Sequence, residues 1–382
     1  MKDDFSPLTI EEYANQALTT DQLSDSGSLT FPLLGLFGET GSLLSEVKKK
    51  QRDRASYLGY AGAVVEELGD VLWYLTAVAA RGKLSLNDIV ARSVGEGAQS
   101  FAALQLPVMP RPAGPSTAFE QTLLQLAGEV GLLIIDQEAG RLKDNQPALA
   151  GRLIPIMRTL IEAANQAGVT LEAAAIKNLS KIFDRWPRDR TYPNPLDADA
   201  ELEEQLPREL TVDVFERAVR GKTYVFQRCN DINIGDRLTD NAMTADDYRF
   251  HDVFHYAYVA VLGWSPVIRS LFRLKRKSDP KIDEAQDGAR ATLIEEGVTT
   301  WIFGQAVNLN LFEDLGQGDL PFDLLKHVRQ FVAGYEVERR PLWLWEEAIL
   351  QGYAAFRFLR KHRRGRIHIS MNSHTLAIEK LP

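Results

Sequence analysis

Cysteine is almost absent from this chain. Cys229 is the only one in 382 residues, which excludes an intrachain disulfide and any cysteine-rich metal cluster. An excess of positive charge is also missing. The net charge of −8 argues against a protein that coats nucleic acid by bulk electrostatics. The opening residues lack the basic and then apolar run of a secretory signal, and no stretch approaches the roughly 20 apolar residues of a membrane span. The expectation is therefore a cytoplasmic chain with no membrane partner. What is present is ordinary globular composition, 45% hydrophobic and 25% charged, in a chain too long for one core and suited to two or three domains.

The chain also says one thing twice. Residues 33–41 read Leu-Leu-Gly-Leu-Phe-Gly-Glu-Thr-Gly and residues 123–131 read Leu-Leu-Gln-Leu-Ala-Gly-Glu-Val-Gly, so six of nine positions match at an offset of 90. The match resumes at an offset of 85, with Leu68, Leu75, Ala79 and Leu86 opposite Leu153, Leu160, Ala164 and Leu171. A second copy that has lost five residues between two helices accounts for both offsets.

Around the repeat, apolar residues recur at spacings of three and four through 8–18, 30–50, 57–81 and 85–100, and again from 117 to about 184. The segment 106–115, with four prolines and a glycine, makes a natural linker. The acidic stretch Asp197 to Glu204 reads as a solvated boundary. Beyond it, helices are expected over 244–277, 284–312, 321–337 and 341–362, with a short strand at Thr223–Gln227 and a strand or loop from Arg366 to Ile378. The domains expected are 1–105, 116–195 and 208–382, in an all-α fold with a mainly helical C-terminal domain.

Acidic residues concentrate in the first copy. Glu67 and Asp70 lie three apart on an apolar helix and project from one face, and burying two such charges is costly without a cation. Glu39 and Glu46, seven apart on the preceding helix, also share a face. Antiparallel packing would gather three or four carboxylates, with Glu66 or Glu46 assisting, and oxygen-only ligands suit Mg²⁺ or Mn²⁺. Solvated helix charge is the plainer alternative.

Gly38-Glu39-Thr40-Gly41, followed by Glu67-Leu68-Gly69-Asp70-Val71-Leu72-Trp73-Tyr74-Leu75, resembles the MazG-like all-α nucleotide pyrophosphohydrolases, whose signature is Glu-x-x-Glu, a loop, then Glu-x-x-Asp. The resemblance covers about residues 30–190. It implies that Glu39, Glu67 and Asp70 hold Mg²⁺ at a nucleoside triphosphate and help cleave it between the α and β phosphorus atoms. One position departs: the second Glu of the first pair falls on Ser42. In the second copy Glu129 remains opposite Glu39, but Arg152 and Pro155 fall opposite Glu67 and Asp70. That copy ends in Asn178, Lys181 and Arg185, similar to the family's closing Asn-x-x-Lys-x-x-x-Arg segment and spaced for one helical face, whereas the first copy has Ser93 and Glu96 at the positions of Asn178 and Lys181. The two half-equipped copies imply one composite site within an intramolecular pseudo-dimer, with a homodimer as a further expectation. Lys49, in the run Lys48 to Lys50, is a further candidate phosphate contact.

The third region resembles the C-terminal domain attached to some MazG-like proteins and holds a second candidate. His251 and His255 stand at i and i+4, a spacing by which two imidazoles share a metal, beside Asp252, with Glu295 and Glu296 on a later helix. The basic segments Arg273–Lys277 and Arg360–Arg366 could meet nucleic acid, although solvated helix ends are the simpler reading. The reading these features favour is a Mg²⁺-dependent nucleoside triphosphate pyrophosphohydrolase. The alternatives are a catalytically impaired nucleotide sensor or scaffold, with the effector or metal-dependent role in the C-terminal domain.

Overall fold

The computed structural model describes residues 7–23, 27–95, 98–105 and 114–381. Glu96 and most of the expected linker, 106–113, lie outside them. The chain forms two units, Met1–Phe183 and Asp184–Pro382.

The first unit is helical: α1 Ile10–Leu18, α2 Thr30–Asp53, α3 Tyr60–Arg81, α4 Leu86–Val94, α5 Thr117–Glu138, α6 Gln146–Gln166 and α7 Leu171–Arg185, the last of which runs to the boundary. Starts follow local chemistry. Thr9 and Glu12 close a capping box on α1, Ser116 caps α5 and Asn145 caps α6, each satisfying amides that have no partner inside the helix. Helix α3 folds back antiparallel on α2, α6 packs on α5, and α2 also contacts α5 while α6 contacts α3 and α4. Residues from α2 and α3 and from α5 and α6 share one core, including Leu36, Leu43, Leu68, Leu72, Leu123, Leu126, Leu153 and Leu160, all fully buried.

Two glycines set the closest approaches. A Cβ on Gly35 would fall 2.0 Å from the Tyr74 ring, and one on Gly69 would fall 2.6 Å from the Ala174 carbonyl oxygen. These contacts lock α3 against α2 and α7. Asp21 and Arg81 form a buried ion pair in which Arg81 Nη2 lies 2.7 and 2.9 Å from the two carboxylate oxygens. Removing one partner of such a pair costs about 3–5 kcal/mol, because the other is left buried and unpaired.

Helix α5 corrects one expectation. Its 22 residues are long and apolar enough to cross a membrane by length and composition. In the structure Leu123, Leu126, Val130 and Leu133 are buried in the core of the unit, whereas Leu124, Leu132 and Ile135 are exposed.

The second unit corrects the all-α expectation. It contains a five-stranded antiparallel sheet of order β3-β2-β1-β4-β5, built from β1 Glu209–Val219, β2 Lys222–Cys229, β3 Ile232–Leu238, β4 Arg364–Ser370 and β5 Thr375–Glu379. The short strand expected at Thr223–Gln227 is the middle of β2. Two-residue turns make the meander: Arg220-Gly221 and Asn230-Asp231 all have positive φ, the hairpin geometry whose twist matches that of the flanking strands. Val212 and Val214 of β1 are buried, and α13, Leu342–His362, contacts β4, β5 and α8, Asp252–Ala257.

The helix expected over 244–277 is interrupted. A π-helical turn, Tyr258–Leu262, ends at Gly263 with φ 65, and Ser265 caps a new helix, α9, Pro266–Phe272. A proline at the first helical position starts a helix and cannot continue one. Short α10, Pro280–Ala285, precedes α11, Ala289–Val307, and α12, Phe322–Phe331.

Candidate functional site

The α2–α3 hairpin brings Glu39, Glu67 and Asp70 together. One oxygen from each lies within 4.8 Å of the others. Gathering carboxylates on partly buried helix faces raises the affinity of Glu67 and Asp70 for protons. Burial, with the charges of Glu39 and Asp70, pushes Glu67 up to about 8, against the pull of Lys181. Burial also raises Asp70, opposed by Lys181 and Asn178. The second oxygen of Glu67, Oε2, is buried without a hydrogen-bond partner. Buried carboxylate oxygens are rarely left so, and the arrangement suits a cation that would satisfy all three.

Helix α7 supplies the polar partners. Asn178 Nδ2 donates to Asp70 Oδ1 at 2.9 Å, and Lys181 Nζ bonds Asp70 Oδ2 and lies 3.3 Å from Glu66 Oε1. Burial works against the Lys181 charge, but Asp70 and Glu66 hold its proton more tightly than usual. The close packing at Gly69 sets this contact, since it brings the α3 backbone against Ala174, one turn before Asn178 on α7.

Other candidates go elsewhere. Glu46 is buried, accepting from Lys49 Nζ at 2.6 Å and from the Tyr57 hydroxyl, so neither Glu46 nor Lys49 joins the cluster. Glu66 faces Lys181. Ser42 is half-buried, one turn beyond Glu39 on α2. Arg185 belongs to the second unit, where it donates to the carbonyls of Gly318 and Leu320 at 3.1 and 2.7 Å and stacks on Trp186. It is a structural clamp there, and the expected triplet reduces to Asn178 and Lys181.

The second helical pair holds an ion pair where the first holds acid. Arg152, opposite Glu67 in sequence, lies 2.5 Å from Asp136, which Arg141 also contacts at 2.5 Å. These arginines hold the Asp136 carboxyl below its usual range. Glu129 accepts from Gln125 at 2.9 Å.

Tyr13 escapes the sequence reading. Its buried hydroxyl donates to Asn178 Oδ1 at 3.1 Å, which fixes the amide so that its NH₂ faces Asp70. Burial and the nearby Asp70 charge raise the Tyr13 hydroxyl well above its usual pKa. The residue is 57 positions from Asp70 and carries no local signal beyond the capping box that starts its helix.

In the second unit, His251, Asp252 and His255 are clustered, with Glu295 and Glu296 beside them. The basic segments are largely tied down. Arg276 is buried between Asp287 and Glu336, Arg363 bonds Asp247, and Arg366 bonds Asp213 at 2.7 Å.

A helical hairpin that converges three carboxylates, with lysine and asparagine held against one of them, defines a class: a helical protein with an oxygen-only site suited to a hard divalent cation. The comparison with known families is specific. The MazG nucleotide pyrophosphohydrolase domain matches residues 30–95, which contain all three carboxylates, and the MazG C-terminal domain matches residues 191–382. The chain belongs to the MazG family, with its nucleotide pyrophosphohydrolase domain followed by its C-terminal domain. No curated protein and no solved structure matches it.

Proposed function

We propose that the first unit is a Mg²⁺-dependent nucleoside triphosphate pyrophosphohydrolase, using water to cleave the anhydride between the α and β phosphorus atoms and releasing a nucleoside monophosphate and pyrophosphate. The observation that carries this reading is the convergence of Glu39, Glu67 and Asp70 within 4.8 Å, next to Lys181 and Asn178. Those three carboxylates would hold the cation, with Mn²⁺ as the other hard ion that suits them. When bound, it supplies charge neutralisation for the triphosphate and activation of water.

The chain's own residues do the positioning. Asn178, itself oriented by Tyr13, fixes one oxygen of Asp70. Lys181 offers a positive charge beside the cluster for a phosphate oxygen. Two helical pairs within one chain, one acidic and the other leading into the helix that carries Asn178 and Lys181, support a composite site in an intramolecular pseudo-dimer.

Pyrophosphate release from a panel of nucleoside triphosphates with Mg²⁺ tests the reading. Asp70→Asn keeps the side-chain shape and removes a charge. It is expected to lower turnover by at least about 100-fold, with the helical circular dichroism unchanged. Release at the parental rate by that variant would refute the assignment.

A further inference from the structure

The second unit holds a cluster that the nucleotide chemistry does not use. His251 Nδ1 lies 2.9 Å from the Tyr248 carbonyl oxygen, and His255 Nδ1 lies 2.8 Å from Glu295 Oε1. A carbonyl and a carboxylate only accept hydrogen bonds, so both imidazoles carry their proton on Nδ1 and turn the Nε2 side inward. Glu295 is locked in its role, accepting from Ser265 Oγ at 2.6 Å and the Val267 amide at 2.8 Å. What the two Nε2 atoms face is more carboxylate. His251 Nε2 lies 3.1 Å from Asp252 Oδ1 and 3.8 Å from Glu296 Oε2, and His255 Nε2 lies 3.6 Å from Glu296 Oε2.

His255 is fully buried and its Nε2 has no hydrogen-bond partner. Lone pairs on nitrogen and oxygen that converge in this way repel unless something positive stands between them. A proton does not fit the Glu296 contacts, since 3.6 and 3.8 Å exceed hydrogen-bonding distance. A metal ion does. Ligand atoms of His251, Asp252 and His255 lie within 4.8 Å of one another, and the three separations of 3.1, 3.6 and 3.8 Å bracket the spacing of about 3.4 Å between ligands at about 2.1 Å from a tetrahedral ion, with Glu296 reaching the group through the two imidazoles.

We propose that His251 Nε2, His255 Nε2, Asp252 and Glu296 form a second metal site, for a first-row transition ion such as Zn²⁺, Fe²⁺ or Mn²⁺. Two imidazoles and two carboxylates favour such ions over Mg²⁺ and Ca²⁺, which take oxygen. The supporting shell is complete. Glu295 and the Tyr248 carbonyl orient the imidazoles, and Gln227 bonds the other oxygen of Asp252 while accepting from the Tyr256 hydroxyl at 2.6 Å. Such outer partners raise ligand basicity and fix ring orientation. The Glu296 side chain is 38% exposed while His255 is 0% exposed, so the site opens on the Glu296 side, where a water or a substrate atom can complete the coordination. The chain would then carry two metal sites of different chemistry, one oxygen-only and one mixed.

The test uses the full chain, stripped with a chelator and then exposed separately to Zn²⁺ and to Co²⁺ under millimolar Mg²⁺, which occupies the oxygen-only cluster. About one equivalent of either ion is expected to survive gel filtration, and the Co²⁺ form should absorb in the visible. His251→Ala and Glu296→Gln sit at partly exposed positions where folding is checked by circular dichroism. Each is expected to weaken Zn²⁺ binding by about 100-fold and abolish the Co²⁺ band, and Glu295→Gln to weaken it by about 10–100-fold. Asp70→Asn should retain the equivalent. A parent that keeps no Zn²⁺ or Co²⁺, or folded His251→Ala and Glu296→Gln variants that keep as much as the parent, would overturn the proposal.

Discussion

Glu67 titrates far from where a solvated glutamate does, and that shift has a measurable sign. Without a cation, its carboxyl is pushed up to about 8 from an ordinary 4.5 by burial and by the charges of Glu39 and Asp70. The folded state then holds a proton that the unfolded chain releases, so stability from this group is full below about pH 4.5 and is lost as pH rises through about 8. Urea unfolding in EDTA should show the parent less stable at pH 8.5 than at pH 5.5, and Glu67→Gln, a permanently uncharged mimic, should flatten that loss. Ser42 offers a second test. Among the described residues, Lys49 and Tyr57 engage Glu46 and Lys181 faces Glu66, so neither candidate acid stands in for the missing one, and Ser42→Glu is expected to tighten Mg²⁺ binding by about tenfold through added ligand charge; calorimetric titration checks it. Helical spacing pairs Glu67 with Asp70 and Asn178 with Lys181, and the resemblance to the MazG-like family singles out these four and Glu39 as a candidate site; the structure brings the five together. Tyr13 could not, because its role depends on a tertiary contact with Asn178. Arg185 shares the spacing of Asn178 and Lys181, and spacing alone cannot show that its guanidinium is used by the carbonyls of Gly318 and Leu320.

Among the elements, the α3–α7 contact controls whether the polar partners reach Asp70. A methyl group at Gly69 would meet the Ala174 carbonyl at 2.6 Å and the Asn178 Cβ at 2.9 Å, and neither backbone nor Cβ can swing away. Gly69→Ala is therefore expected to cost about 1–3 kcal/mol and to lower pyrophosphate release as α7 moves off the cluster. Gly38→Ala and Gly41→Ala are the controls, since a Cβ there meets nothing within 4 Å. Helical alanine should stabilise each by about 0.5–1 kcal/mol in thermal unfolding. Helices announce themselves by long periodic runs, which is why α2, α3 and α13 are legible. The sheet is legible only in part: the strand expected at Thr223–Gln227 is the middle of β2 and the stretch expected as strand or loop from Arg366 to Ile378 holds most of β4 and β5, whereas charged residues such as Asp213 interrupt the apolar alternation of β1. The signal that was there is the pair of turns, Arg220-Gly221 and Asn230-Asp231, each separating two β-rich runs by two residues.

At the scale of the whole molecule, the contact between Asp70 and Lys181 lies within one chain. Mixing Asp70→Asn with Lys181→Ala should therefore leave a pyrophosphate assay inactive; recovery of about a quarter to a half of parental activity would mean that the parts are shared between chains. The same contact has a bearing on biosynthesis. Asp70 and Lys181 are 111 positions apart, and Asp70 and Asn178 are 108 apart, so the cluster is neutralised only by the last helix of its unit to be synthesised. Contacts of such separation form late, after the intervening helices have closed their loops. A chain still on the ribosome, or one released early by a premature stop, carries the three acids without their lysine and asparagine. If the first unit has the proposed activity and needs Lys181 and Asn178 for it, hydrolysis would be withheld from incomplete copies, and translation itself would set the moment at which the nucleotide pool first meets a working enzyme.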